Sequence, residues 1–211
     1  MAQLHERWRP QSLDDVEGQN KAVTAIALLY ANQSIGGRAF WIQGPSGTGK
    51  TTLAKIIAKM NGCDWYPVVE TTGRELTTAA ISRAAQEWQY AGGHALIVNE
   101  AHGLNRPAIE VLLNVLESLP SNVVVIFTTT NDGADLFEEH IDAGPFASRC
   151  IGVKLTNQGL CRVFAERAKR IAQVEGLDGQ PIEAYESLMK RCKNNMRAAL
   201  TAIEAGEMVT V

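Results

Sequence analysis

Short apolar runs punctuate the chain at intervals. Phe40-Trp41-Ile42, Ala95-Leu96-Ile97-Val98 and Val123-Val124-Val125-Ile126-Phe127 are continuous rather than alternating. Runs of this length and type read as strands of a parallel sheet buried on both faces. A further strand is expected over Trp65–Glu70 and the last over Asn122–Thr130. Between the runs the period changes to that of an amphipathic helix. Helices are expected over Asn20–Tyr30, Lys50–Met60, Thr77–Tyr90 and Arg106–Ser118. The third would turn Ala80, Ile81, Ala84, Ala85 and Trp88 inward, and the fourth Ile109, Leu112, Leu113 and Leu116. Ahead of them, residues 5–19 are polar, broken by Pro10 and Gly18, and read as an exposed arm.

From Lys154 onward the helical period takes over. Leu160, Val163, Phe164, Ala168, Ile171 and Val174 form one stripe, Gly176 suits a helix C-terminus, and Pro181 suits a helix start. Two more helices follow, over about Ile182–Cys192 and Asn195–Ala205. Three short helices cannot cover a sheet. The pattern therefore predicts an α/β domain over 1–153, a three-layer parallel sheet, and a small all-α domain over 154–211.

Composition narrows the picture modestly. The 211 residues carry a net charge of −3, which argues against a wholesale cationic nucleic-acid binder and leaves room for a local basic strip. Cys63, Cys150, Cys161 and Cys192 are scattered without a C-x-x-C pair, so neither a zinc site nor a disulfide framework is expected. The charged N-terminus has no apolar leader core, and no run is long enough to span a bilayer. A cytoplasmic location is the expectation.

Chemistry concentrates where the first strand ends. Gly44-Pro45-Ser46-Gly47-Thr48-Gly49-Lys50-Thr51 fits the phosphate-loop pattern, between a strand and a helix as the motif requires. Gly44, Gly47 and Gly49 let the backbone curl so that successive N–H groups face phosphate oxygens. The helix opening at Lys50 adds a dipole that favours an anion. Lys50 can reach the outer phosphates, and the Thr51 hydroxyl can ligate Mg²⁺. Pro45, Ser46, Gly47, Thr48, Gly49, Lys50, Thr51 and Thr52 are thus candidates for ATP. A second polar cluster, Asn99-Glu100-Ala101-His102, closes the Ala95 strand at the end where such sheets bind ligands.

In this order the motifs resemble the clamp-loader ATPases of the AAA+ superfamily. Glu6-Arg7-Trp8-Arg9-Pro10 and Asp15-Val16-Glu17-Gly18-Gln19 match that family's opening, E-K-Y-R-P-x-x-x-x-D-V-x-G-Q, with Arg7 and Trp8 replacing Lys and Tyr. The resemblance implies a P-loop NTPase fold with a helical lid, ATP and Mg²⁺ as ligands, and Arg9, Val16 and Gln19 on the adenine side. It implies Glu100 as the residue that polarises the lytic water. Asn99 stands where the family has a magnesium-supporting aspartate, and it keeps an acceptor oxygen while losing the charge. Asn131, or Thr130 beside it, would be the strand-end polar residue called sensor 1. Ser148-Arg149-Cys150 matches the motif whose arginine enters a neighbouring subunit's ATP site, and Asn194-Asn195-Met196-Arg197 matches the lid motif whose arginine, sensor 2, reaches the γ-phosphate. Arg149 then requires a homo- or hetero-oligomer of AAA+ subunits. DNA is the implied substrate, contacted by Thr72, Arg74, Thr77, Thr78 and Arg83, with a sliding clamp as a further partner. The family's collar domain and four-cysteine zinc insertion have no counterpart in the sequence, so oligomerisation is expected to come from another protein or from the ATPase domains. Three readings follow: a clamp-loader-type ATPase in DNA replication, an ATP-dependent switch or scaffold that scarcely hydrolyses because of Asn99, and a helicase loader or branch-migration motor.

Overall fold

The computed structural model describes residues 2–33, 35–63, 68–130 and 144–209. By contacts the chain forms two units that do not follow its linear order. One holds Lys21–Gly44 and Lys50–Leu155; the other holds Met1–Asn20, Pro45–Gly49 and Thr156–Val211. The first twenty residues and the middle of the phosphate loop thus contact the C-terminal helices, a grouping that a single cut near 153 does not describe.

The first unit is a five-stranded sheet in the order β2-β3-β4-β1-β5, with β1 Arg38–Gln43, β2 Val68–Thr72, β3 His94–Asn99, β4 Val123–Thr129 and β5 Cys150–Lys154. Every pairing is parallel. The uninterrupted apolar runs occupy the middle: all of β4 is buried, and β3 is buried up to Asn99. The edge strands are more polar, as half-covered positions require. β5 was not expected from the sequence. Cys-Ile-Gly-Val-Lys is short, carries a glycine and sits at an edge, so it lacks the apolar run that marks its neighbours.

Helices cover both faces. On one side α4 (Thr78–Glu87) and α5 (Arg106–Leu116) close over Trp41, Leu96, Val98, Val125 and Phe127, with Ile81, Ala84, Ile109 and Leu112 buried against them. Ala80, expected inward, is exposed, because α4 presents a narrower face to the sheet. α3 (Lys50–Met60) packs on β1, β3 and β4 from the other side and buries Leu53, Ala54, Ile56 and Ile57. α2 (Asn20–Ala31) precedes β1. The short α6 (Gly144–Ala147) inserts Phe146 beside Trp41 and Phe127, with ring centroids 5.5 and 4.7 Å away in edge-to-face geometry. Each such pair adds roughly 0.5–1.5 kcal/mol beyond area burial.

The second unit is helical. α7 (Cys161–Val174), α8 (Ile182–Arg191) and α9 (Met196–Glu204) bury Phe164, Ala168, Ile171, Tyr185, Leu188, Leu200 and Ile203 together. Val174, the expected end of the α7 stripe, is exposed in the last turn. The N-terminal segment is not an exposed arm. It forms a helical turn, α1 (Leu4–Arg7), whose Leu4 is fully buried in the same cluster. Trp8 donates its indole N–H to Glu175 at 2.7 Å, and Arg167 donates to the Asp15 carbonyl and to Glu17 at 2.8 and 2.9 Å. The arm is therefore fastened to α7 along its length. Among the described residues no helix is long and apolar enough to cross a membrane.

Candidate functional site

The β1 strand ends at Gln43 and the chain turns through the phosphate loop into α3. Two glycines there are dictated by space. A Cβ on Gly44 would lie 2.6 Å from the Leu155 carbonyl, and one on Gly47, at φ +76°, would lie 1.9 Å from the Asn195 side chain. Thr48 is buried and bonds the Pro45 carbonyl at 2.8 Å, closing the turn on itself. Pro45 and Ser46 are exposed at its crest, while Thr52 continues the first turn of α3. Lys50 is 8% exposed, and its ammonium donates to the Gly44 carbonyl at 2.8 Å.

The tips of β3 and β4 meet the start of α3. Asn99 Oδ1 accepts from the Thr51 and Thr128 hydroxyls, each at 3.0 Å, and its Nδ2 donates to Glu70 Oε1 at 2.9 Å. Lys55, one turn beyond Thr51 on α3, lies 3.0 Å from the other Glu70 oxygen. This set of hydroxyl, amide oxygen and nearby carboxylate is all oxygen, the donor chemistry that suits Mg²⁺ with its retained waters. Glu100 follows in the left-handed conformation, φ 49° and ψ 50°, with its carboxylate half exposed and 3.5 Å from His102 Nδ1. The same ring nitrogen is 3.2 Å from the Thr129 hydroxyl. Non-glycine residues held in this region cost of order 1–3 kcal/mol and cluster at functional sites. Asn131 lies outside the described residues, and Thr130 is exposed past the end of β4. The strand-end hydroxyl that reaches the Asn99 cluster is Thr128.

Arg149 follows α6. Its guanidinium donates to the Pro145 carbonyl at 2.5 Å and to Glu117, the C-terminal cap of α5. Cys150 begins β5 with its thiol pushed up to about 12 by burial, so it acts as a small apolar residue in the core rather than a nucleophile.

In the helical unit the Arg197 guanidinium is exposed and has no hydrogen-bond partner among the described residues. It lies in the first turn of α9, whose cap Asn195 accepts from Ala198 N at 3.2 Å and abuts Gly47. Asn194 stands where the family pattern has glycine, at φ 56°, a region asparagine tolerates better than most side chains. Gln19 is buried and clasps Thr156 at both ends: Nε2 donates to the carbonyl at 2.8 Å and Oε1 accepts from the N–H at 3.2 Å. Its amide holds the chain together at that point. Arg9 is ion-paired to Glu6, and Val16 closes the 3-10 turn Leu13–Asp15.

Of the candidates for DNA, Arg83 is exposed, Thr72 bonds Glu75 at 2.9 Å, and Thr77 caps α4 by accepting from Ala80 N at 3.2 Å. The residues that sequence reasoning did not bring to the site are Glu70, Thr128 and Glu117. Glu70 was legible only as one polar position in a strand with none of the β3 or β4 apolar character.

A strand–glycine loop–helix with lysine and threonine at its exit, and polar side chains on the adjacent strand tips, defines a P-loop nucleotide site on a parallel sheet. Residues 40–150 match the ATPase family associated with various cellular activities, AAA, and the chain belongs to that family. The RuvB subunit of a Holliday junction branch migration complex from Kosmotoga olearia is 29% identical over 223 residues, spanning 93% of this chain and 60% of its own length. The replication factor C small subunit of Natronomonas pharaonis is 26% identical over 212 residues, spanning 97% of this chain and 62% of its own. The structure of the Thermotoga maritima RuvB branch migration motor superposes with a TM-score of 0.74 at 25% identity, over 93% of this chain and 64% of that one. The chain thus spans less than two thirds of the length of each of these relatives.

Proposed function

We propose that the chain is the ATP-hydrolysing part of a multi-subunit machine that acts on DNA, of clamp-loader type. The observation that carries the reading is the Lys50–Thr51–Asn99 arrangement beside Glu100, with Thr51 bonded to Asn99 at 3.0 Å. In this reading the loop N–H groups and Lys50 bind the phosphates of ATP. Thr51, bonded to Asn99, would hold a magnesium ion, which would supply positive charge beside the phosphates. Glu100 orients the attacking water and takes up its proton. Arg197 contributes positive charge from α9, and Arg149 of an adjacent subunit adds the charge that a loose phosphoryl-transfer transition state needs. Asn99 keeps the acceptor role of an aspartate toward Thr51, so turnover is retained at reduced electrostatic support.

The match of Glu6–Pro10 and Ser148–Cys150 favours the clamp-loader type. A second reading, a branch-migration motor, is favoured by the likeness to the Thermotoga maritima motor. Steady-state phosphate release decides between them. A clamp loader is stimulated by primed template with a sliding clamp, whereas a branch-migration motor is stimulated by a four-way junction. Turnover that ignores every DNA, with no assembly in ATP, removes both.

A further inference from the structure

The asparagine at the tip of β3 is not isolated. Glu70 pairs in register with Ile97, and Thr72 with Asn99, so Glu70 and Asn99 are diagonal neighbours on one face of the β2–β3 pair. That face is the one α3 covers, since Thr51 and Lys55 both reach it. A carboxylate can only accept, so the Asn99 group facing Glu70 is the NH₂, and Oδ1 is turned toward Thr51 and Thr128. This orientation decides what Thr51 can do. With Oδ1 accepting its proton, the hydroxyl keeps its lone pairs for a cation. With the amide reversed, the NH₂ would occupy a lone pair instead.

We propose that Glu70 is a positioning residue for the magnesium of the bound nucleotide: it locks the Asn99 amide with its oxygen toward Thr51 and supplies the negative charge that Asn99 lacks. The pair divides between two strands what one strand-end aspartate does alone. Aspartate at 99 would face Glu70 as a like charge, so each residue type makes sense only with the other. Lys55 holds the second Glu70 oxygen and fixes the carboxylate's direction. This inference rests on the nucleotide reading above.

The test is a magnesium titration of the full chain with a non-hydrolysable ATP analogue, read as the rise in melting temperature. In Glu70→Ala the midpoint for magnesium moves up about tenfold or more, the usual loss when an outer-shell partner of a metal ligand is removed. Glu70→Gln, which keeps an acceptor and loses the charge, gives a smaller shift and guards against a folding defect in the alanine variant. Asn99→Asp weakens magnesium binding, and Asn99→Asp with Glu70→Gln restores it, because the glutamine amide can donate to the new carboxylate. Magnesium midpoints in Glu70→Ala and Glu70→Gln that match the wild type overturn the proposal. So does a double variant no better than Asn99→Asp. A wild type that shows no magnesium-dependent shift at all removes the nucleotide reading and this proposal with it. The melting order without nucleotide, Asn99→Asp below the double variant, reports the amide pairing separately.

Discussion

Arg149 is ion-paired with Glu117 of its own chain, and the same guanidinium bonds the Pro145 carbonyl. Glu117 is 59% exposed, so the pair is of the surface kind that contributes about 0–1 kcal/mol. A neighbour's triphosphate offers more charge than one solvated carboxylate. In the proposed trans-acting role, exchange of Glu117 for a partner's phosphate is therefore inexpensive. Arg149→Ala is expected to leave nucleotide affinity unchanged and to lower turnover by about a thousandfold, the range seen for arginine fingers. Glu117→Gln should leave turnover intact or raise it. Single-turnover phosphate release and equilibrium nucleotide binding, measured on the same samples, check both. Full turnover in Arg149→Ala ends the trans-acting role.

The loop makes two further demands. Lys50→Ala removes the ammonium that bonds the Gly44 carbonyl and should abolish nucleotide binding, read as loss of the ATP-dependent rise in melting temperature. Gly47→Ala forces a side chain into the left-handed region and onto Asn195. The conformation alone costs roughly 1–2 kcal/mol, and the contact can be relieved only by displacing the cap of α9. This variant should therefore melt lower without nucleotide as well as bind it weakly. Lys50→Ala should not show the first effect to a comparable degree.

The legible parts of this protein are those whose pattern is local. Phe40–Ile42, Ala95–Val98 and Val123–Phe127 read as buried strands because they are short, rich in β-branched and aromatic residues, and apolar on both faces. The phosphate loop was readable because its residue types and spacing are the chemistry. β5 was not, since an edge strand needs no apolar run. The burial of Leu4 was hidden for a different reason. One leucine in a polar stretch becomes informative only when α9 lies beside it, and its amide bonds Glu204 across nearly the whole sequence. Glu70 was hidden likewise, because its meaning depends on Asn99 in another strand.

That burial gives a stability prediction. Leu4 is 0% exposed inside the cluster formed by α7, α8 and α9. Leu4→Ala should cost roughly 2–5 kcal/mol, the range for emptying a buried leucine site. Trypsin cleavage after Arg7 should accelerate accordingly, since it lies in the segment that Leu4 anchors. A melting temperature and cleavage rate equal to wild type would mean that the arm contributes nothing to the helical unit.

The most specific pH dependence belongs to Asp178. Burial alone would raise its pKa, but hydrogen bonds from Tyr185, Lys169, Gln173 and the Gln180 N–H outweigh it and hold the carboxyl below its ordinary 3.8. The Tyr185 hydroxyl, 2.9 Å away on a fully buried ring, is pushed up by burial and by the same carboxylate. A depressed folded-state pKa means that the charged form is the one favoured by folding. Its contribution is complete above the unfolded value and disappears as pH falls through the lowered folded value. Asp178→Asn keeps an acceptor for Tyr185 and removes the charge that Lys169 faces at 3.3 Å. The wild type should therefore melt above Asp178→Asn by a constant margin from about pH 5 upward, and the margin should close below 3.8. Asp178→Ala should lose more at every pH, because it leaves the buried hydroxyl unpaired at a cost of about 1–3 kcal/mol. Melting curves from pH 3 to 8 for the three proteins test the sign as well as the size: a margin that grows on acidification would place the charge on the wrong side of the folding equilibrium.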